Sequence, residues 1–390
     1  TAEEAAELVR KCERDDLPLA PIGAARTLAR IRKAPAAIGI SLVRLNRVIA
    51  YEPDDMTIIA EAGITLADLD SRAEVHGQRL GLDPARPDRT TIGALIGAAK
   101  AGPLRLSEGL VRDRLIGVRF IGHQGRIIHA GGRVVKNVAG YDLMKVMAGS
   151  YGTLGIVTEA AFRLSPIPAN YTIAMGTFSD CAALMAAAMR LRDGAPLIHL
   201  EAVSGAIART LGRDRNFFVI AGFGGSDPEV AYTRDQISLA IGSDAVFIGG
   251  AEAASLYELL RDCVGDGVNA PPIAAEIAVP PAVLPHVLEQ CACAFRAHAA
   301  NGVAQLFEDL SSGNGAISEP AAIAATIARW RAIAREAGGH LRVIRIPPDA
   351  RAQVAMFYDP PPIAFKLMRR LKASFDPMGI FNPGCFVGGL

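Results

Sequence analysis

An α+β fold in two consecutive domains is predicted, one over residues 1–168 and one over residues 169–360, with a closing segment at 361–390. Three observations carry this. At 390 residues the chain exceeds the usual single-domain range. Its 39 glycines are denser in the first 155 residues than beyond them. After Pro166 and Pro168 the texture changes, and short apolar strands alternate with longer amphipathic stretches.

In order along the chain, residues 2–14 predict a helix, and LPLAPIG (17–23) a buried strand that runs into a loop of small residues, Gly23-Ala24-Ala25-Arg26-Thr27. Helix, strand and small-residue loop is an order that suits phosphate binding. The runs at 37–45, 48–53 and 57–63 are rich in β-branched residues and bounded by turn formers, so each predicts a strand, and helix returns at 66–76. IGALIGAAKAG (92–102) predicts a short helix that contains Gly93 and Gly97. Each internal glycine costs about 1 kcal/mol relative to alanine, so packing or a ligand must justify them. Residues 115–132 predict a hairpin that turns at His123-Gln124-Gly125.

The second domain predicts strands at 171–178, 197–203, 217–223, 244–249, 273–279 and 303–309, and helices at 179–191, 204–211, 227–241, 251–263, 281–299 and 320–337. A last helix near 361–374 leads to FDPMGIFNPGCF (375–386). Arg342 and Arg345 on HLRVIRIPP, and Lys366, Arg369 and Arg370 on the last helix, could face an anionic substrate, and read first as edge-strand and helix-face charges.

Composition narrows the function classes. Hydrophobic residues make up 51% and charged residues 21%, with 41 Lys plus Arg against 40 Asp plus Glu, which leaves no basic stripe for nucleic acid. The cysteines (Cys12, Cys181, Cys263, Cys291, Cys293, Cys385) are scattered without a C-x-x-C pair, so a reducing compartment is expected and no iron–sulfur cassette is indicated. Cys291 and Cys293 read as core residues. The charged first residues read as mature protein, and no apolar run reaches the roughly 20 residues that span a bilayer.

The densest motif is GGRVVKNVAGYDLMKVMAGSYGTLGIVTE (131–159), read as a loop, a short helix through 143–147, a turn at 149–152 and a strand from Leu154. A missing Cβ lets main-chain N–H groups reach a ligand, and it equally permits a tight packing corner. Lys136-Asn137-Val138-Ala139-Gly140-Tyr141-Asp142, then Gly149-Ser150 and Gly152-Thr153-Leu154-Gly155-Ile156-Val157-Thr158-Glu159, resembles the K-N-x-x-G-Y-D and G-S-x-G-T-L-G-I-x-T-E run of the FAD-linked oxidases that act on 2-hydroxy acids. That family lies in the vanillyl-alcohol-oxidase (PCMH-type) superfamily, and within it the chain looks most like the FAD-binding (E) subunits of glycolate oxidases. Phe375-Asp376-Pro377 and Asn382-Pro383-Gly384 resemble the family's closing F-D-P and N-P-G segment.

The resemblance implies a PCMH-type FAD-binding domain of two α+β subdomains, followed by an α+β domain with an antiparallel sheet. It places FAD against Pro21, Ile22, Gly23, Ala24, Ala25, Arg26 and Thr27, against Thr90, Thr91, Ile92 and Gly93, and against Gly152, Gly155, Ile156 and Val157. Gly109, Arg112 and Asp113 match its G-x-x-R-D piece; Lys136, Gly140, Tyr141, Asp142 and Asn382 match the remaining motif positions. Ala24 and Ala25 stand where the family has glycines, and Arg26 offers a guanidinium to the diphosphate. Arg112 is the candidate for an anion. No His or Cys flanks the first loop, so a dissociable flavin is expected.

The family's catalytic subunits carry a His-x(6)-His-Gly-Asp-Gly-Asn signature that supplies metal ligands and a base. This chain lacks it: His199, His286, His298 and His340 have no metal-ligand spacing, and no catalytic residue or metal site is assigned. The expectation is therefore an accessory FAD subunit, cytoplasmic or at the inner face of a membrane through its partners. Those partners are a catalytic FAD subunit and an iron–sulfur subunit, and the complex would act on a small 2-hydroxy acid. The alternatives are a stand-alone FAD-dependent 2-hydroxy-acid dehydrogenase and a flavin-free scaffold.

Overall fold

Thr1 begins the first helix with a reciprocal cap: its hydroxyl accepts from the Glu4 N–H at 3.2 Å, and the Glu4 carboxylate accepts from the Thr1 backbone nitrogen at 2.6 Å. The helix, Ala2–Arg14, buries Ala5, Ala6, Val9 and Cys12 along one stripe. The computed structural model describes residues 1–23, 38–132, 141–212, 217–242, 244–263, 271–308 and 319–390. The chain divides into two compact units. Unit 1 joins Thr1–Ala101, Gly109–Ile167 and Asp359–Leu390, and unit 2 joins Gly102–Glu108 to Pro168–Tyr358.

Unit 1 contains three sets of paired strands. β1 (Leu19–Ile22) pairs in parallel with β2 (Ile38–Ser41). β3 (Val48–Glu52), β4 (Thr57–Glu61), β6 (Leu115–Ile121), β7 (Ile127–Gly131) and β8 (Ile156–Arg163) form an antiparallel five-stranded sheet in the order β3-β4-β8-β6-β7. Two-residue strands β5 (Gln78–Arg79) and β9 (Ser165–Pro166) pair separately. Ile58, Leu66, Leu69, Ile92, Leu95, Phe120 and Phe162 fill one core; Val9, Leu19, Ile121, Ile156 and Phe381 fill another.

The predicted hairpin is β6 and β7, and the first helix secures its turn. Gln124 sits at φ +59°, and its N–H donates to both Glu13 carboxylate oxygens at 2.9 and 3.0 Å, while His123 Nδ1 lies 2.8 Å from Glu13 Oε1. His123 is thus a turn histidine with a structural partner.

The closing segment ties unit 1 together. Asp376, 2% exposed, accepts the N–H groups of Ile380 and Phe381 at 3.0 and 2.9 Å and the Lys372 ammonium at 2.6 Å. Lys372 also donates to the carbonyls of Thr153 and Phe381 at 2.8 and 2.9 Å. Leu19 N–H donates to Ile380, Asn382 N–H donates back to Leu19, and the Asn382 amide donates to the Tyr151 carbonyl at 2.7 Å. The F-D-P and N-P-G motif is therefore a clasp on β1 and on the Ser150–Thr153 turn.

Unit 2 is one eight-stranded antiparallel sheet. Its strands are β10 (Thr172–Phe178), β11 (His199–Val203), β12 (Phe217–Phe223), β13 (Val246–Gly249), β14 (Ile273–Ala278), β15 (Ala294–His298), β16 (Val303–Glu308) and β17 (His340–Arg345). They run in the order β13-β10-β12-β11-β15-β16-β14-β17. Helices Cys181–Gly194, Asp227–Ile241, Gly250–Asp262 and Pro320–Glu336 accompany it.

One prediction fails here. The helix expected over 281–299 is a helix over Leu284–Cys291 followed by β15. Ala292 turns the chain at φ +49°, and Phe295 and Ala297 then alternate with Arg296 and His298. No glycine or proline marks the stop, so apolar content alone read as one long helix. Cys291 ends the helix with its thiol buried, and Trp330 donates to its carbonyl at 3.4 Å.

Two predictions test these supports. Asp70 accepts the Leu80 N–H at 2.7 Å, and burial pushes its carboxyl up to about 7. A folded value above the unfolded one gives stability that is full below the unfolded range and lost as pH rises to about 7. The melting temperature should fall between about pH 4 and about pH 7, and fall less in Asp70→Asn. Lys372→Met leaves Asp376 buried without its cation, and denaturant unfolding should show a loss of about 3 kcal/mol.

Candidate functional site

A cleft in unit 1 is bounded by the end of β1, by the helix Ile92–Ala98 and by the turn 150–155. Thr91 starts that helix, its hydroxyl accepting from Ala94 N–H at 3.3 Å. Gly93 N–H donates to Ala62 at 2.7 Å, which draws the helix onto β4's end; a Cβ at Gly93 would stand 3.2 Å from Ala62. From the helix's other end, Ile96 and Gly97 carbonyls accept from Gly149 and Tyr151 at 2.9 and 2.8 Å. Helix and glycine-rich turn are thereby one rigid wall.

The glycines divide by purpose. Gly152 has φ +69°, and a Cβ there would lie 2.5 Å from Pro21; at Gly155 it would lie 2.7 Å from the Ile121 carbonyl. At Gly23 it would lie 2.4 Å from the Thr91 hydroxyl. All three line the cleft, and their missing Cβ atoms serve close packing of its walls. At Gly97 the nearest atom to a Cβ is the Gly152 nitrogen at 3.9 Å, so this glycine keeps space open.

Of the residues singled out in the sequence, Pro21, Gly23, Thr91, Gly93, Gly152, Gly155 and Val157 line the cleft together. Ile22 packs on Gly39, Thr90 is buried, and Ile92 and Ile156 belong to the cores. Arg112 is exposed and lies 3.9 Å from Asp113, whose carboxylate accepts the Leu110 N–H at 2.8 Å at the start of the helix Val111–Arg114; neither lines the cleft. Tyr141 is 92% exposed, and Asp142 caps the helix Leu143–Met147 by accepting from Lys145 N–H. Asn382 acts in the clasp. Ala24, Ala25, Arg26, Thr27, Lys136 and Gly140 lie outside the described residues.

Sequence reasoning missed Leu42, Ala62, Arg89, Ala94, Gly97, Ala98, Lys100, Ser150 and Tyr151, which also line the cleft. Gly97 carried a signal as a costly helix glycine; Arg89 and Lys100 carried none. The walls are apolar and small-sided, and Arg89 and Lys100 add positive charge, which suits a flat aromatic ring joined to a diphosphate.

Residues 1–131 match the FAD binding domain family, and residues 351–385 match the C-terminal domain of FAD linked oxidases. The chain is an FAD-linked oxidoreductase. It is 25% identical to the D-2-hydroxyglutarate dehydrogenase of Stutzerimonas stutzeri over 98% of this chain and 88% of that one. It is 39% identical to glycolate oxidase subunit GlcE of Escherichia coli over 128 residues, 32% of this chain and 37% of that one. Alkyldihydroxyacetonephosphate synthase shares its fold, with a TM-score of 0.72 at 18% identity over 98% of this chain and 75% of that one. FAD is the cofactor, and the cleft fits it: Arg89 and Lys100 suit its diphosphate, and the open edge at Gly97 leaves room beside the 150–155 turn. When bound, FAD supplies a hydride acceptor.

Gly97→Leu should fill the cleft without colliding with the fold. The flavin absorbance per protein should drop several-fold while the circular dichroism of the flavin-free protein stays unchanged.

Proposed function

We propose that this chain is the accessory FAD-binding subunit of a multi-subunit 2-hydroxy-acid dehydrogenase of glycolate type. It carries electrons for, or supports, a catalytic flavoprotein and an iron–sulfur subunit. The observation that carries this reading is the unit 1 cleft, walled by the same glycine-rich stretch that resembles the glycolate oxidase E subunits. The 39% identity over 128 residues to the glycolate oxidase subunit of Escherichia coli supports the same reading. The flavin is held without a covalent bond, since no described His or Cys lines the cleft. The complex works in a reducing compartment, at a membrane's inner face only through partners; no described helix is long and apolar enough to cross one.

A second reading, a stand-alone dehydrogenase, draws on one observation in unit 2. Glu201 and His298 are both 1% exposed or less in the side chain and stand 2.6 Å apart, Oε1 to Nδ1, as an acid–base pair. Alcohol oxidation requires a proton acceptor of this kind.

Affinity purification from the native source separates the readings. The accessory role predicts that a second flavoprotein and a cysteine-rich cluster protein co-purify, and that the isolated chain contains releasable FAD yet does not reduce a dye with glycolate or D-lactate. Dye reduction by the isolated chain at the rate of the complex would refute it.

A further inference from the structure

The helix Pro362–Phe375 is held to the rest of unit 1 along one side only, and none of its residues is buried. On that side Phe375 stacks on Phe120 with ring centroids 6.3 Å apart, and a Cβ at Gly388 would lie 2.5 Å from the Phe365 ring. Lys372, half-buried on the same side, makes the bonds of the clasp. On the opposite side Ile363, Leu367 and Leu371 are 84%, 57% and 38% exposed. Spaced four apart, they share a stripe about 12 Å long, at about 1.5 Å of rise per residue.

Lys366 and Arg370, four apart in their turn, run beside this stripe, with Arg369 further round the helix. All three are exposed, and none makes an ion pair among the described residues. The chain as a whole balances 41 basic residues against 40 acidic ones, whereas this helix carries Lys366, Arg369, Arg370 and Lys372 and no Asp or Glu. Scattered aliphatic residues on a surface need no partner. Three in line, edged by cations, form a surface of two matched parts.

The charges and the aromatic residues decide what covers it. A second copy presenting the same helix would bring six cations to one seam and no carboxylate to meet them. A helix that lies in a bilayer surface sinks Trp, Phe and Leu side chains into the lipid, and here both phenylalanines are turned onto unit 1. A protein groove lined by aliphatic side chains and edged by Asp and Glu answers both parts. The stripe supplies anchors at i, i+4 and i+8, and the basic row fixes register and orientation.

We propose that the outer face of the helix Pro362–Phe375 is the docking surface for a partner protein subunit. The partner receives Ile363, Leu367 and Leu371 in an aliphatic groove and meets Lys366, Arg369 and Arg370 with carboxylates along one edge. That this partner belongs to the dehydrogenase complex rests on the proposed function above; the chemistry of the face rests on the helix itself.

The test is carbodiimide coupling of the complex purified from the native source, which joins a lysine amine directly to a carboxylate in contact with it, read by mass spectrometry of the linked peptides. Lys366 should be joined to an Asp or Glu of another subunit, within a stretch of aliphatic residues, and the yield should fall several-fold as salt rises from about 0.05 M to about 0.5 M. In tagged chains expressed in the native source, Leu367→Glu and Arg370→Glu should each lower recovery of that subunit at least about ten-fold. Both positions are exposed, so the flavin content and melting temperature of the isolated variants should be retained. Lys366→Arg should keep recovery and lose the link. An intact complex in which Lys366 links to no other subunit, or in which Leu367→Glu and Arg370→Glu are without effect, overturns this surface and leaves the accessory role standing. Linkage of Lys366 to a second copy of this chain overturns it, and so does sedimentation of the isolated chain with vesicles of phosphatidylcholine and phosphatidylglycerol that Leu367→Glu abolishes. The coupling of the unaltered complex needs no variant, so misfolding of a mutant leaves it decisive. Dye reduction by the isolated chain at the rate of the complex, with the Lys366 link present, overturns the accessory role alone; a chain recovered without any partner overturns both.

Discussion

Unit 1 depends on one buried ion pair. The Asp376 carboxylate, inaccessible to water, is satisfied by two backbone N–H groups and by the Lys372 ammonium, and Lys372 spends its other donors on the Thr153 and Phe381 carbonyls. A charge taken out of water at this cost holds only because every one of its bonds is made. Through it the chain's last segment fixes β1 and the glycine-rich turn, and those two elements are walls of the cleft. The site is held from behind by residues that never face into it.

The same logic of completed and incomplete bonding distinguishes the two units. In unit 1 the polar groups around the cleft are consumed by the scaffold: Thr91 caps a helix, Gly93 bonds Ala62, Asn382 bonds Tyr151. What faces the cavity is mainly small and apolar, as a large flat cofactor needs. In unit 2 the polar side chains of the central strands meet one another across the sheet and still leave capacity unused. A shape-selective cleft and a polar interior are thus built by different means in one chain.

Much of this was legible. Strands with β-branched runs and turn-forming borders, such as TIIAE and FFVIAGF, stand where the sequence predicts them, because a buried run of β-branched and aromatic residues leaves a local mark. The stretch 281–299 left none: Ala292 in a left-handed turn carries no compositional cue, and Arg296 and His298, polar yet buried, disguise a core strand. The site was legible as motifs and not as surfaces. Gly152 and Gly155 announced themselves as glycines, but what they accommodate, Pro21 and the Ile121 carbonyl, is a product of tertiary packing. Arg112 shared a motif with the flavin loops and does not line the cleft, while Arg89, Lys100 and Tyr151 reach the cleft only through the meeting of separate elements.

The clasp also sets an order of events in the making of the protein. Asn382 and the Tyr151 carbonyl that it holds are 231 positions apart, and all of unit 2 from Pro168 to Tyr358 lies between them. Chains emerge from the ribosome N-terminus first and contacts this distant close late. Throughout synthesis β1 therefore presents an open edge where Ile380 and Phe381 will dock, and the cleft has one wall unsupported until residues 376–382 arrive. Unit 2, nearly continuous in sequence, can collapse while unit 1 waits. Cofactor loading becomes a late step in maturation, coupled to the arrival of the clasp at Asp376–Asn382, and a chain cut before that clasp would be lost at assembly, with its flavin motifs intact.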